Sequence, residues 1–416
     1  MVSLLSDTLR LGNAFHELDQ SSTVSKNSDQ TYILTVAIAG CIRESLSPEH
    51  LSFWREQALI VAYRAIPWKY VEPTTANTRL FLPHLKHAVQ AFQDDFEHLP
   101  ISTRADLALT LIEASRFPDM AWKRFAVGQA ELSVLGLQDW YLRSCIAQSR
   151  CLLSRIAGSL DQAASSLGDL TSDLSAAKKL LEDWSPLNQS PSSMEEVVLF
   201  RKNMILGRIL RFQGEFTESL THLEIARKTT EKRKDLIFDE DLRDVTCDLA
   251  DTLRELDDPT SAEHDLRTEI ARRDQSCISS LGRSLLELSL AEALFAQGRL
   301  KEAERLCLDV QSRPGLLKFE KLRLHITLAK IRHVDSENQG ALSYWSEAMG
   351  AIGKFPMTSG RTTRIIVMSI CDTLGCLGHN WLMHESQRQV ASLDELAKPG
   401  GIQYWIAGLR HWLEYL

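Results

Sequence analysis

No run of apolar residues in this 416-residue chain approaches the ~20 that a membrane-crossing helix needs. Proline and glycine are scarce, at 12 and 20 positions, which disfavours a loop-rich β architecture and favours helices. The eight cysteines (41, 145, 151, 247, 277, 307, 371 and 376) include no Cys-x-x-Cys pair. Set inside apolar helical patterns, they read as buried thiols of a reducing cytoplasm, not as a disulfide frame or a zinc site. Also missing are the Gly-x-x-x-x-Gly-Lys-Ser/Thr loop, the Gly-x-Ser-x-Gly elbow and the His-Glu-x-x-His helix, each of which places groups that a particular chemistry requires. A net charge of −8 argues against broad binding to nucleic acid or to an anionic membrane.

What the chain does have is helical periodicity that repeats. From Leu206 to Ala226 two amphipathic helices meet at Gln213-Gly214-Glu215. Leu206 and Leu210 mark the buried stripe of the first; Phe216, Leu220 and Leu223 mark that of the second. Gly207, Ser219 and Ala226 sit where two helices must approach closely. Aligning other stretches on the position of Ser219 yields Ala121, Ala163, Ser219, Ala262, Ala303 and Ala341, at intervals of 42, 56, 43, 41 and 38 residues. A large or apolar residue follows four positions later: Phe125, Leu167, Leu223, Leu266, Cys307 and Trp345. Glycines 158, 214 and 298 precede the aligned residue by five positions. Ala329 and Ala341 keep the separation of Gly207 and Ser219. The longest interval holds the Pro- and Ser-rich loop 185–193.

This pattern of small, large and turn residues resembles the tetratricopeptide repeat. The expected fold is an all-α, tetratricopeptide-like α-solenoid: a right-handed superhelix of helical hairpins over residues 101–400, behind a small helical N-terminal cap. Residues 1–30 read as a helix and a flexible loop, and 31–100 as the cap. There an apolar helix spans 31–44, Ser47-Pro48-Glu49 starts the next helix, and Pro83 opens another. Residues 401–416, with Tyr404, Trp405, Leu409, Trp412 and Leu416, read as a helix that caps the open end of the array.

A second resemblance rests on the apolar helix 31–44, Trp54-Arg-Glu-Gln-Ala58, Ala65-Ile-Pro67 and Leu82-Pro-His-Leu-Lys-His87. Together with the repeats, these resemble the junction and repeat arm of fungal NLR-like (STAND) proteins. That resemblance implies a regulatory arm for a nucleotide-dependent switch, yet the phosphate-binding loop of such proteins has no counterpart here.

In tetratricopeptide-like folds the first helix of each hairpin lines the groove, and its second, fifth, ninth and twelfth residues face outward. Carried onto this sequence, that register selects Arg155, Arg201, Met204, Arg208, Arg211, Asp251, Arg254, Glu292, Phe295, Arg323, Lys330 and His333 as groove residues. Cations outnumber carboxylates in the set although the chain is acidic overall. Guanidinium forks suit carboxylates, so the expected ligand is a protein or acidic peptide segment, or a small molecule bearing a carboxylate. The competing reading is that these arginines pair with Asp244, Asp251 and Glu292 of the same face. The functional expectation is thus a binding scaffold. A pocket-forming enzyme or carrier, as in a fungal biosynthetic pathway, is the alternative; Asp244, Asp251, Glu292 and His333 would then supply acid–base groups. No cofactor and no metal is expected: His84 and His87 share a helix face but lack a third ligand at fixed spacing.

Overall fold

A computed structural model describes residues 8–27, 32–70, 76–92, 96–117, 119–157, 178–179, 181, 192–232, 238–275, 282–353, 360–396 and 405–416. The chain is all-α apart from one small hairpin, and it divides into two compact units: Met1–Ile66 with Ala76–Leu99, and Pro67–Thr75 with Pro100–Leu416.

In the first unit, helix α1 (Thr8–Gln20) leads into strand β1 (Val24–Lys26). That strand pairs antiparallel with β2 (Tyr32–Leu34), with Val24 opposite Leu34 and Lys26 opposite Tyr32. The expected helix over 31–44 is therefore shorter. Tyr32-Ile33-Leu34 is aromatic and branched, suits a strand, and Thr35 starts α2 (Val36–Ser45) by accepting a hydrogen bond from the Ile38 amide. Ser47 caps α3 (Pro48–Arg64) in the same way, with Pro48 in the first turn. A short 3-10 turn, Ala76–Phe81, precedes α4 (Leu82–Gln90), which packs on α3.

The second unit is a stack of hairpins. Its first helices are α5 (Ile101–Ala114), α7 (Trp140–Ala157), α8 (Ser193–Gln213), α10 (Asp239–Glu255), α12 (Arg283–Ala296), α14 (Lys318–Val334) and α16 (Gly360–Cys376). The second helices are α6 (Met120–Ser133), α9 (Phe216–Lys232), α11 (Pro259–Gln275), α13 (Leu300–Gln311), α15 (Asn338–Ile352) and α17 (Asn380–Leu396). Helix α18 (Leu409–Tyr415) ends the chain. The segment holding Gly158, Ala163 and Leu167, the second helix expected after α7, lies outside the described residues, as does most of the 185–193 loop. Each helix from α8 to α17 packs on the next, and successive first helices α7, α8, α10, α12 and α14 also touch one another. The first helices thus form one continuous face.

The repeat register holds at atomic level. Gly214 ends α8 in the left-handed conformation (φ 91°), and Glu215 N–H reaches back to the Leu210 carbonyl at 2.9 Å. The same closure recurs from Arg299 to Leu294 (3.0 Å), behind Gly298, and from His379 to Leu374 (2.9 Å), behind Gly378. In two hairpins without a turn glycine, α10/α11 and α14/α15, Asp257 (φ 62°) and Ser336 (φ 59°) adopt that conformation at the same position. Asp and Ser tolerate it at modest cost. The small pairs Ala250/Ala262, Ala291/Ala303 and Ala329/Ala341 are fully buried at the helix crossings.

At the equivalent crossing of α8 and α9 the pair is Gly207 and Ser219, and Ser219 Oγ donates to the Gly207 carbonyl at 2.7 Å. A Cβ on Gly207 would lie 2.6 Å from Leu223 Cγ and 3.2 Å from the Ser219 carbonyl oxygen. Around Gly128, on α6, the same construction meets nothing within 4 Å. Gly207→Ala is expected to destabilise the array by roughly 1–3 kcal/mol through overpacking, whereas Gly128→Ala stabilises it by about 0.5–1 kcal/mol through helix propensity. Urea midpoints of the two variants check this; equal shifts would contradict the packing account.

Candidate functional site

The groove register names residues that the fold does bring together, on the face of the first helices, but it mistakes their exposure. Arg201, Arg211, Asp251, Arg254, Glu292, Arg323, Lys330 and His333 are all 8 % exposed or less; Met204, Arg208 and Phe295 are partly buried. The side chain of Arg155 lies outside the described residues. Two causes account for the burial: the cations are matched by carboxylates of the same face, and segments of the chain's own backbone lie over it.

The matching starts at α8. Arg208 pairs with Asp248 and sits 3.8 Å from Asp244; Arg211 lies 3.7 Å from Asp248 and 4.0 Å from Asp251. On α10, Arg254 Nη2 reaches Asp251 at 2.7 Å and Glu292 of α12 at 2.6 Å. From α14, the Arg323 fork spans both carboxylates. Its Nη2 donates to Asp251 Oδ1 and Glu292 Oε2 at 2.8 Å each, and its Nε donates to Glu292 Oε1 at 3.0 Å. Four successive hairpins are thereby joined through one ionic cluster.

Its electrostatics follow from position within the cluster. Burial alone would raise the Asp251 carboxyl, but Arg323, Arg254 and Arg211 outweigh it and hold Asp251 well below the carboxylate range. Glu292 is lowered for the same reason by Arg323 and Arg254. At Asp248 burial prevails over Arg208 and Arg211, and its pKa rises. Lys330 is the outlier. It is 2 % exposed, and its ammonium lies 5.3 Å from the centre of the Phe295 ring. Burial lowers its pKa from 10.5 to about 8 against the pull of Glu292.

Two segments that sequence reasoning placed elsewhere cover this face. Pro67–Tyr70, expected within the N-terminal cap, lies over its start. Lys69 Nζ meets Asp241 at 2.6 Å, Trp68 packs on Tyr141, and Tyr70 packs on Phe238. The other segment is the tail, residues 405–416, which was expected to cap the end of the array. It instead engages first helices from four successive hairpins.

In the tail, the Gly408 amide donates to Glu255 Oε1 at 2.5 Å, and Arg410 Nη2 donates to the Glu255 carbonyl at 2.6 Å. Trp412 Nε1 donates to Ser369 Oγ at 2.8 Å. The Trp412 ring packs against Phe295, His333 and Trp345, and it shares a buried cluster with Phe212 and Ile326. His333 in turn donates from Nε2 to Asp372 at 2.8 Å. The available signal for this placement is the density of aromatics and cations after residue 404, more than a solvent-facing cap requires.

Of the tryptophans, Trp68, Trp122, Trp345 and Trp412 are buried; Trp184 lies outside the described residues. Cys145, Cys151, Cys247 and Cys307 are buried, but Cys41 and Cys376 are exposed. Cys277 lies outside the described residues. A cavity of 470 Å³ is lined by Gln311, Arg313, Lys321, His325 and Glu347, among others. None of the displaced groups Asp248, Asp251, Glu292 or Lys330 lines it. Among the described residues no helix is long and apolar enough to cross a membrane, and no cluster of three metal-ligating side chains occurs.

The fold and this face define an all-α protein of the helical-repeat class. No protein-family model matches the chain, and no curated protein matches it.

The displaced lysine has a pH signature. The unfolded chain keeps the Lys330 proton to about pH 10.5, while the folded protein releases it near pH 8. Its stability penalty is therefore full below pH 8 and fades as pH rises toward 10.5. Lys330→Met is expected to raise stability at pH 7 by on the order of 3 kcal/mol, with the advantage shrinking across pH 8–10.5. Urea midpoints at both ends of that window decide it; an advantage that does not change with pH would contradict the assignment.

Proposed function

We propose that this protein is a cytoplasmic binding scaffold that holds a helical segment of a partner protein across the face of its first helices. The observation that carries the reading is the tail. A peptide-like stretch of the chain already lies on that face, directed by hydrogen bonds to Glu255 and Ser369 and anchored by Trp412. A face that seats one helix through side-chain and main-chain contacts suits helix-in-groove recognition. Acidic side chains of a partner would compete with Asp244 and Asp248 for Arg208, the cation of the cluster with the largest exposed fraction, 21 %. The repeat register supports kinship with tetratricopeptide proteins. The resemblance of residues 32–88 to the junction of fungal NLR-like proteins adds a role as a regulatory arm, in which the held segment belongs to a separately encoded switch.

Panning a library of displayed helical peptides against the intact chain tests the reading. Enriched peptides are expected to be rich in Asp and Glu, to weaken as salt rises from about 0.05 M to about 0.5 M, and to lose about tenfold in affinity against Arg208→Glu. Peptides that bind the folded Arg208→Glu chain with unchanged affinity would contradict it.

A further inference from the structure

The tail fits its seat well at Trp412 and poorly at Gly408. Gly408 adopts φ +76°, and a Cβ built on it would point between two cations, 3.2 Å from Arg254 Nη1 and 3.5 Å from Lys330 Nζ. Glycine puts nothing there. Lys330, almost wholly buried, has no hydrogen bond and no carboxylate within 4.0 Å among the described residues; its neighbour is the Phe295 ring. Beside it, Arg254 Nε and Glu255 Oε2 are buried without a hydrogen-bond partner. An ammonium so largely desolvated, with no acceptor among the described residues, is costly, and any apolar residue would avoid that cost.

We propose that Lys330 and Arg254 form a receptor for one carboxylate of a partner protein's helical segment, at the position Gly408 now fills. An aromatic side chain four residues later occupies the seat of Trp412. Gly408 is the N-cap of α18, and its carbonyl accepts from the Trp412 amide at 3.3 Å, so the first turn of one helix presents both positions. The tail supplies the aromatic and the main chain but not the acid, which makes it an occupant that a better-matched segment displaces. This inference rests on the reading of the face as a holder of partner segments, and it names what the segment must carry.

The probes are two fluorescein-labelled peptides, one reproducing residues 405–416 and one carrying Gly408→Asp. The host is the full chain with Arg410→Glu, which turns the contact of the tail with Glu255 into a repulsion. The acid-bearing peptide is expected to bind about tenfold more tightly, as a charge-assisted pair in a buried site supplies. The preference should shrink to within about twofold once Lys330→Met is added. Equal binding of the two peptides would mean that the face accepts the tail of a second copy equally well, and it would overturn the carboxylate receptor alone. No binding of either peptide would overturn the receptor and the holder reading together.

A measurement in cis needs no released tail. Gly408→Asp in the whole chain should change the thermal midpoint more favourably by several degrees when Lys330 is present than in the Lys330→Met background. The same shift in both backgrounds would also overturn the receptor.

Discussion

The guanidinium of Arg323 lies between Asp251 and Glu292, and the organisation of the first-helix face depends on that contact. Three first helices, α10, α12 and α14, bring these charges together, and Arg254 closes the ring. Each of these residues is 5 % exposed or less, so none is solvated enough to stand alone. Removing one partner from such a set leaves an uncompensated buried charge, which costs far more than a surface pair contributes. The hairpins are thus coupled through their ionic face as well as through the alanine crossings between their helices.

That coupling changes what the arginines mean. A cationic face above open water would attract any acidic segment. Here Arg208, Arg211, Arg254 and Arg323 already hold Asp248, Asp251 and Glu292, and the residual selectivity falls to groups left out of the exchange. Lys330 is the clearest of them: buried, stripped of carboxylate contact and lowered in pKa by that burial. A buried cation that depresses stability and holds no carboxylate of its own chain is where function is retained against the drift toward stability. The tail above it is held at effective concentrations set by its tether, in the millimolar range for short linkers. A partner must therefore bind well enough to win against an intramolecular rival.

The fold was largely legible in the sequence because hairpin packing is local. Small residues at 219, 262, 303 and 341, with their large partners four positions on, report helix crossings whose geometry depends on a few neighbouring side chains. Asp257 and Ser336 hold turn positions that a search for glycine misses, since both residues tolerate positive φ without announcing it. The helix expected at 31–44 begins only at Val36, because the aromatic and branched run Tyr32–Leu34 pairs with β1 instead. The groove residues were found by register, but their state was not legible. Burial of Arg211, Arg323 and Lys330 arises from contacts with residues 37 to 78 positions away, such as Asp248, Asp251 and Gly408. No periodicity encodes such pairings. Nor does a pattern of aromatics at 405 and 412 say whether a helix covers an end or a face.

The central claim is that the chain's own tail closes a self-neutralised face. Hydrogen exchange of the intact protein, read by mass spectrometry on peptides covering 254–257 and 405–416, tests it most directly. The account predicts that both stretches are protected in the wild-type chain. In Arg323→Met they should lose protection together, ahead of the outer helices α13 and α15. A tail that exchanges in the wild-type chain as fast as the free peptide would contradict the account, because the face would then be open.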